Sequence, residues 1–297
     1  MHEHDILSRD MSDTIAIVGA GRVGRILGRR LRQLNWTIGT VVTRSRATAR
    51  SSVRAIGGGQ AQPSINRHVL DADVVIIATP DDRIREAAKR LAQVGGEEWR
   101  GRTVLHTSGA LDSSVLSPLA RCGAATGSMH PMQTFVVRSA PPLERIVFTI
   151  EGDRRAQRVA RRIARTLGGF AVSIRGRAKP TYHAAGTLAA GHGLALIEAA
   201  VRLLMRAGFS RRRAKLALLP LIRQMIANFE RFGAREAWTG PISRSDFSTV
   251  ARHRKALAGW PPEYLRAYAA LARLSALVLD THPKRTLKQL DRVLPRH

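Results

Sequence analysis

The stretch Thr14-Ile-Ala-Ile-Val-Gly-Ala-Gly-Arg-Val-Gly24 limits the fold of this chain more than any other segment. An apolar run, Ile15 to Val18, enters Gly19-x-Gly21-x-x-Gly24 and continues directly into the amphipathic stretch Arg25–Leu34. Strand, tight turn and helix in that order are the context in which three such glycines mark a dinucleotide site. Gly19 lets the chain turn sharply, and Gly21 removes the Cβ that would hold a pyrophosphate off the backbone. Gly24 lets the helix lie close to the strand. The helix N-terminus, where Arg22, Val23 and Gly24 stand, offers unpaired N–H groups to the phosphates.

The second half of the signal lies about twenty residues further on, where an NAD-binding unit places an acid against the ribose 2′-hydroxyl. Here the apolar stretch Thr37–Thr43 runs into Arg44-Ser45-Arg46 with no acid nearby. A carboxylate there would repel a 2′-phosphate, whereas a guanidinium holds one through paired, charge-assisted hydrogen bonds. Thr43 and Ser45 add hydroxyl donors, so the expected cofactor is NADP(H).

The 297 residues are enough for two domains, and 44% hydrophobic content is ordinary for a globular chain. A lone cysteine, Cys122, excludes an internal disulfide, which fits a reducing, cytoplasmic setting. Residues 1–12 are polar and read as a flexible start without a signal peptide. The segment Ala184–Met205 is apolar but interrupted by His192, Glu198 and Arg202, and reads as a buried or interfacial helix rather than a membrane span. The net charge of +27 invites a nucleic-acid reading. Against it, Arg22, Arg25, Arg29 and Arg32 share one helix side, as do Arg154, Arg158, Arg161 and Arg165, with no interleaved aromatic platform. These are solvent faces of crossover helices, which argues against specific nucleic-acid binding.

Apolar runs alternate with helical patterns through the first half, giving an α/β class with a Rossmann-like, doubly wound parallel sheet. The predicted strands are 14–18, 37–43, 74–78, 103–107, 124–129 and 146–150, with another near 170–174. After Lys179-Pro180 the pattern is helical only, with Pro220 expected to kink one helix and Gly233 to end it. The expected division is residues 13–178 for the NADP-binding domain and 179–290 for an all-helical substrate and dimerisation domain.

Ligands of open α/β sheets bind beyond the carboxyl ends of the strands. Three polar loops are expected there: Thr79-Pro80-Asp81-Asp82, His106-Thr-Ser-Gly109 and Ser128-Met-His130-Pro-Met-Gln133. Thr79 and Pro80 are candidates for the cofactor, although Pro and Asp also favour turns. His130 is a candidate contact for cofactor or substrate, while His106 reads as a satisfied strand-end histidine.

These motifs, together with Ile150-Glu-Gly152, Tyr182-His-Ala-Ala185 and Thr239-Gly-Pro-Ile-x-Arg-x-Asp246, carry a resemblance. From residue 13 to about 280 the chain resembles a family of bacterial oxidoreductases with a Rossmann-like N-terminal domain and a helical C-terminal domain of unknown function. Its first domain also looks like those of deazaflavin-dependent NADP reductases and pyrroline-5-carboxylate reductases. By implication the wider relatives include 3-hydroxyisobutyrate and 6-phosphogluconate dehydrogenases. The resemblance implies an NADP oxidoreductase and supplies no substrate. Two positions depart from the family's pattern: Gly191 stands where Asn is frequent, and Ser245 where Gly is usual.

His183 falls in the first turn of the long helix, where it can deliver a proton as hydride arrives, or pack at a domain seam. Lys179 is a second acid candidate, or a solvated lysine at the junction. Asn228 could orient a substrate oxygen or hold two helices together. Thr239 to Asp246 leads into a helix start carrying Thr249 and His253, read as orienting an anionic substrate, with Asp246 as a competing N-cap. No ligand-pair spacing supports a metal site, so none is expected. The expected activity is hydride transfer to or from a small polar, anionic carbonyl or imine compound, by a homodimer. The alternative is a non-catalytic NADP sensor acting through the helical domain.

Overall fold

The computed structural model describes residues 13–136 and 140–295, so the stretch 1–12 read as a flexible start lies outside them. Eight strands form one sheet: β1 Thr14–Val18, β2 Thr37–Val42, β3 Gln60–Gln62, β4 Val74–Ile77, β5 Thr103–His106, β6 Ala125–Pro131, β7 Val147–Gly152 and β8 Phe170–Ser173. Their order is β3-β2-β1-β4-β5-β6-β7-β8. The order reverses between β1 and β4, the switch point at which such sheets bind ligands. Helices α1 Arg22–Gln33, α2 Arg46–Ile56, α3 Asp81–Gly95, α4 Ser117–Arg121 and α5 Arg154–Thr166 cover the sheet.

The side chains of β1 explain the two layers. Ile15 and Ile17 join Leu27 and Leu31 of α1 and Ile163 of α5 in one core. Ala16 and Val18 point the other way, into a core with Ile84 and Leu91 of α3 and Leu119 of α4. Alternation of two is the strand period, and burial on both faces is why the run reads as continuously apolar. Each fully buried Leu or Ile contributes about 1.5–3 kcal/mol.

Two features of the sheet were not legible in the sequence. Strand β3, only three residues and polar, pairs with β2 at the sheet edge. Strand β7 runs antiparallel to β6, through Met129↔Ile150 and His130↔Thr149. A parallel return needs a crossover helix, and the described part of the link from Met132 to Ile146 has none. Helix α5 then makes the crossover that sets β8 parallel to β7.

The described chain falls into two compact units that meet between Gly191 and His192. That boundary lies beyond the expected junction at 178, because α6 Lys179–Gly186 is tied to the sheet by its first residue. The helical run continues through a π-helical turn, Thr187–His192, into α7 Gly193–Arg206. The stretch Gly176–Arg206 is long and apolar enough to cross a membrane by length and composition, and little of it is buried. Of the expected alternatives, a buried or an interfacial helix, the first is corrected: Leu188, Leu194, Leu196 and Met205 are exposed.

In the second unit, α8 Arg211–Ala237 passes Pro220 and breaks at Gly233, whose φ of 80° leaves the helical region. Helices α9 Phe247–Leu257, α10 Pro262–Leu279 and α11 Pro283–Val293 enclose a small core. Ala269, Ala272 and Ala276 lie along one stripe of α10 and meet Val250 and Leu290. The turn into α9 contains Ser245 at φ 57°, a left-handed backbone that favours glycine. This is the position where the resembling family usually carries glycine. Ser245→Gly is expected to stabilise the chain by about 1 kcal/mol, the usual cost of that conformation for a residue with a Cβ. Urea unfolding of both proteins at one pH checks it, and an unchanged midpoint would remove strain at this turn from the account.

Candidate functional site

The glycine loop sits at the carboxyl end of β1, where each glycine has a distinct surrounding. A Cβ at Gly19, whose φ is 89°, would lie 2.7 Å from the Thr79 backbone nitrogen. One at Gly24 would lie 2.9 Å from the Gly19 carbonyl oxygen. Both glycines are thus demanded by packing. Gly21 is different, since a Cβ there would meet nothing within 4 Å. Its bareness serves no contact inside the protein and leaves the N-terminus of α1 open. That helix has no side-chain cap and no acid in its first turn. Val23 packs on the core beneath, and Arg22 donates to the Phe135 carbonyl at 3.3 Å.

Thr43, Arg44, Ser45 and Arg46 lie at the carboxyl end of β2 and the start of α2. Ser45 caps α2, accepting from the Thr48 amide, and the Thr43 and Ser45 hydroxyls both meet the Thr48 hydroxyl at 2.7 and 2.8 Å. Arg44 and Arg46 are exposed, and neither pairs with an acid among the described residues. Thr79 ends β4 against Gly19 with its hydroxyl oxygen buried and without a hydrogen-bond partner. Pro80 starts α3.

Beyond β5 and β6 the structure assembles a polar cluster. Lys179, the first residue of α6, is fully buried, which corrects the reading of a solvated lysine. Its ammonium donates to the Ser108 carbonyl and the Ser128 hydroxyl, each at 2.7 Å. The Ser128 hydroxyl in turn donates to Glu151 of β7 at 3.4 Å, and the Ser108 hydroxyl to Asp81 of α3 at 2.8 Å. Burial lowers the Lys179 pKa to about 8, while Glu151, Asp81 and Asp112 oppose that shift. At neutral pH the ammonium remains charged.

His130, at the end of β6, is half-buried beside this charge. Its Nδ1 lies 2.8 Å from the Tyr182 hydroxyl, and its ring stands edge-on to His183 with centroids 6.1 Å apart. Burial first, then Lys179 and His183, lower its pKa to about 4. Burial also raises the Tyr182 pKa, so the phenol keeps its proton. Gly109 makes room for both rings, since a Cβ there would lie 2.7 Å from the His183 Cδ2 and 2.9 Å from the His130 Nε2. His183 is exposed on α6, and the Thr187 hydroxyl one turn on donates back to the His183 carbonyl.

Tyr182, Gly109, Ser108, Ser128 and Glu151 all stand inside the quoted motifs, yet the sequence reading gave them no role. Adjacency to His183 was the only signal for Tyr182. His106 fulfils the structural expectation: its Nδ1 accepts from the Ser108 amide, and its Nε2 lies 3.2 Å from the Asp112 carbonyl.

The second unit holds the remaining candidates. Asp246 caps α9, accepting from the Thr249 amide at 3.0 Å, the Thr249 hydroxyl at 2.6 Å and the Ser248 hydroxyl at 2.8 Å. These bonds, the Thr249 hydroxyl's above all, lower its pKa to about 2. The Thr249 hydroxyl also accepts from Arg252, so its one proton is committed to the cap. His253 does not share that cluster and instead meets the Tyr268 hydroxyl of α10 through Nδ1 at 2.8 Å. Asn228 accepts from Gln224 on its own helix, and Thr239 is exposed. Among the described residues no group of three or more metal-ligating side chains comes together.

Protonation of the buried histidines gives a pH test. His106, fully buried, has its pKa lowered to about 3, chiefly by burial. An unfolded histidine titrates near 6.5, so below that pH the unfolded chain binds protons that the folded chain refuses. Stability is therefore present above about pH 6.5 and lost as pH falls through about 4 and then 3. For His106 the loss is roughly 2–3 kcal/mol by about pH 4.5. His106→Gln lacks this penalty, so its destabilisation relative to the natural chain is expected to shrink between pH 7 and about 4.5. Urea unfolding at the two pH values measures it, and a constant difference would contradict a neutral His106.

Comparison with known proteins finds two family matches, each over less than half of the chain. Residues 3–131 match the Rossmann-like domain family, and residues 146–275 match a domain of unknown function, DUF2520. No curated protein matches the sequence. A candidate NADP oxidoreductase of Bacteroides fragilis is similar in structure, at 22% identity and TM-score 0.73, over 88% of this chain and 97% of that one. A pyrroline carboxylate reductase of Plasmodium falciparum with NADP bound aligns over 95% of each chain, at 12% identity and TM-score 0.56. A prephenate dehydrogenase of Aquifex aeolicus, in complex with hydroxyphenyl propionate and NAD+, aligns over 84% of this chain and 91% of that one, at 17% identity and TM-score 0.53. At these identities the likeness is one of fold. The chain is thus similar to a Rossmann-like domain followed by a DUF2520 domain, on an α/β fold shared with these three proteins.

Proposed function

We propose that the chain is an NADP(H)-dependent oxidoreductase that transfers hydride to or from a small polar, anionic carbonyl or imine compound. The open cradle at Gly21 carries this reading. Its bare Cα faces space, α1 begins without a cap, and the buried Thr79 hydroxyl beside it has no partner. Such a site fits a pyrophosphate held by backbone N–H groups and a helix N-terminus. Gly19, Gly21, Arg22, Val23 and Gly24 would hold it, with Thr79 and Pro80 lining the neighbouring strand end. Thr43, Arg44, Ser45 and Arg46 would take the 2′-phosphate, at a helix start that has no acid in its first turn. The NADP and NAD+ present in two proteins of similar fold agree with a nicotinamide dinucleotide.

Bound NADPH would supply the hydride, and this chain's residues must place the substrate and move the proton. Tyr182, kept protonated, donates to His130 Nδ1, which leaves the proton of the neutral ring on Nε2. His130 then offers a hydrogen-bond donor without adding a charge. His183, exposed beside it, is the group free to deliver a proton to developing charge. Lys179 is enclosed, so we assign it to positioning α6 and to supplying a fixed positive field that suits an anionic substrate. In the second unit, Asn228, Thr239 and His253 are the proposed substrate contacts. Asp246 and Thr249 fix the start of α9 for them. The uncovered apolar side chains of α7 and α8, Leu194, Met205, Leu221 and Phe229 among them, support a homodimer.

Two measurements follow. NADPH should bind well ahead of NADH, and Arg44→Ala should weaken NADPH roughly 10–150-fold, equivalent to about 1.5–3 kcal/mol, while leaving NADH nearly unaffected. Equal affinity for both cofactors in the natural chain would refute the 2′-phosphate assignment. With a substrate found by following NADPH absorbance over a panel of keto acids and cyclic imines, His183→Gln should lower kcat by at least about 100-fold. NADPH affinity should stay unchanged. A fully active His183→Gln would remove His183 as the proton donor.

A further inference from the structure

The end of the sheet opposite the glycine loop carries a cavity of about 770 Å³. The last turns of α1 and α2 and the start of β2 form it, with Arg29, Arg32 and Arg54 in its wall and Trp36 beside them. No acid lines it, and none of the three guanidiniums pairs with an acid among the described residues. Nearby arginines do find partners: Arg30 pairs with Glu144, and Arg162 with Asp13. Arginine near a helix C-terminus complements the helix dipole, but each dipole end is worth only about half a charge. Two helix ends therefore leave most of three positive charges uncompensated.

The wall is built around Arg32. A Cβ at Gly58 would lie 2.8 Å from the Arg32 guanidinium carbon, and one at Gly57 3.4 Å from its Nε. The bare Gly57-Gly58 loop lets that guanidinium lie against the backbone. Trp36 is almost buried and has Arg162 stacked over its ring at 5.1 Å, so its side of the cavity is rigid.

We infer that this cavity binds a small multivalent oxyanion of the phosphate-ester or polyphosphate class, at a site separate from the dinucleotide cradle. Guanidinium forks match phosphate oxygens in pairs, and these three, exposed to solvent around one concavity, have no acid occupying them among the described residues. The volume is that of an ordinary small-molecule site. Binding here does not require the cradle to hold NADP(H).

The test is calorimetric titration of the full chain with inorganic tripolyphosphate at fixed ionic strength. Beside any binding in the cradle, the natural chain should show a saturable site that Arg32→Gln and Arg54→Gln each weaken about tenfold or more, the loss of one charge-assisted bond. Arg44→Gln, at the other end of the sheet, should change it less than about twofold. Binding without saturation would mean diffuse attraction to a basic chain and would overturn the inference. Equal loss in Arg44→Gln would place the anion in the dinucleotide cradle, and unchanged affinity in both wall variants would empty the cavity of meaning. Circular dichroism checks that each variant is folded. If a glutamine variant unfolds, Arg32→Lys serves instead: it keeps the charge, loses the fork, and should still weaken binding measurably.

Discussion

The ammonium of Lys179 is the contact on which the arrangement at the carboxyl end of the sheet depends. A buried charge is tolerated only when its donors are satisfied and counter-charges are near. Here the Ser108 carbonyl and the Ser128 hydroxyl accept its protons, while Glu151 and Asp81 stand behind those two serines. Five elements thereby converge on one atom: the ends of β5 and β6, strand β7, and the first turns of α3 and α6. Tyr182 and His183 follow Lys179 on the same turn of α6, so fixing the lysine sets both of them over His130. Removing the charge would undo geometry and electrostatics together.

The same charge divides labour among the histidines. His106 is buried and His130 half-buried close to it, and both effects disfavour a second cation. Both rings are held neutral, and His106 anchors a loop. His183 stands outward on α6, where exchange with solvent is open. Two histidines with rings 6.1 Å apart thus stand in different surroundings, one half-buried and the other exposed.

The glycine loop shows how closely backbone geometry can be read from sequence when the constraint is local. Gly19 and Gly24 are required by contacts at 2.7 and 2.9 Å, which agrees with the sharp turn and the close helix packing expected of them, and Gly21 meets nothing. The strands of the first unit were legible for a similar reason: apolar runs of the right length between turn residues depend on nearest neighbours. Antiparallel β7 was not, because direction depends on the absence of a crossover helix in the preceding link. Thr249 looked available for a substrate from its place at a helix start, yet its hydroxyl donates to Asp246 and accepts from Arg252, choices that helical spacing permits without requiring.

By itself the sequence determined the α/β class, the glycine-rich turn between β1 and α1, the lack of an acid after β2 and the change to helix after Lys179. All of these rest on periodicity, backbone freedom and charge within a few residues. Only the tertiary structure decided that Lys179 is buried, that Tyr182 holds His130, that Gly109 admits two imidazoles, and that three arginines from two helices share one cavity without an acid. Those outcomes join residues far apart in the chain, such as Lys179 and Ser108 at 71 positions. Burial and partner choice at that range are set by how the layers pack, and local pattern carries no record of it.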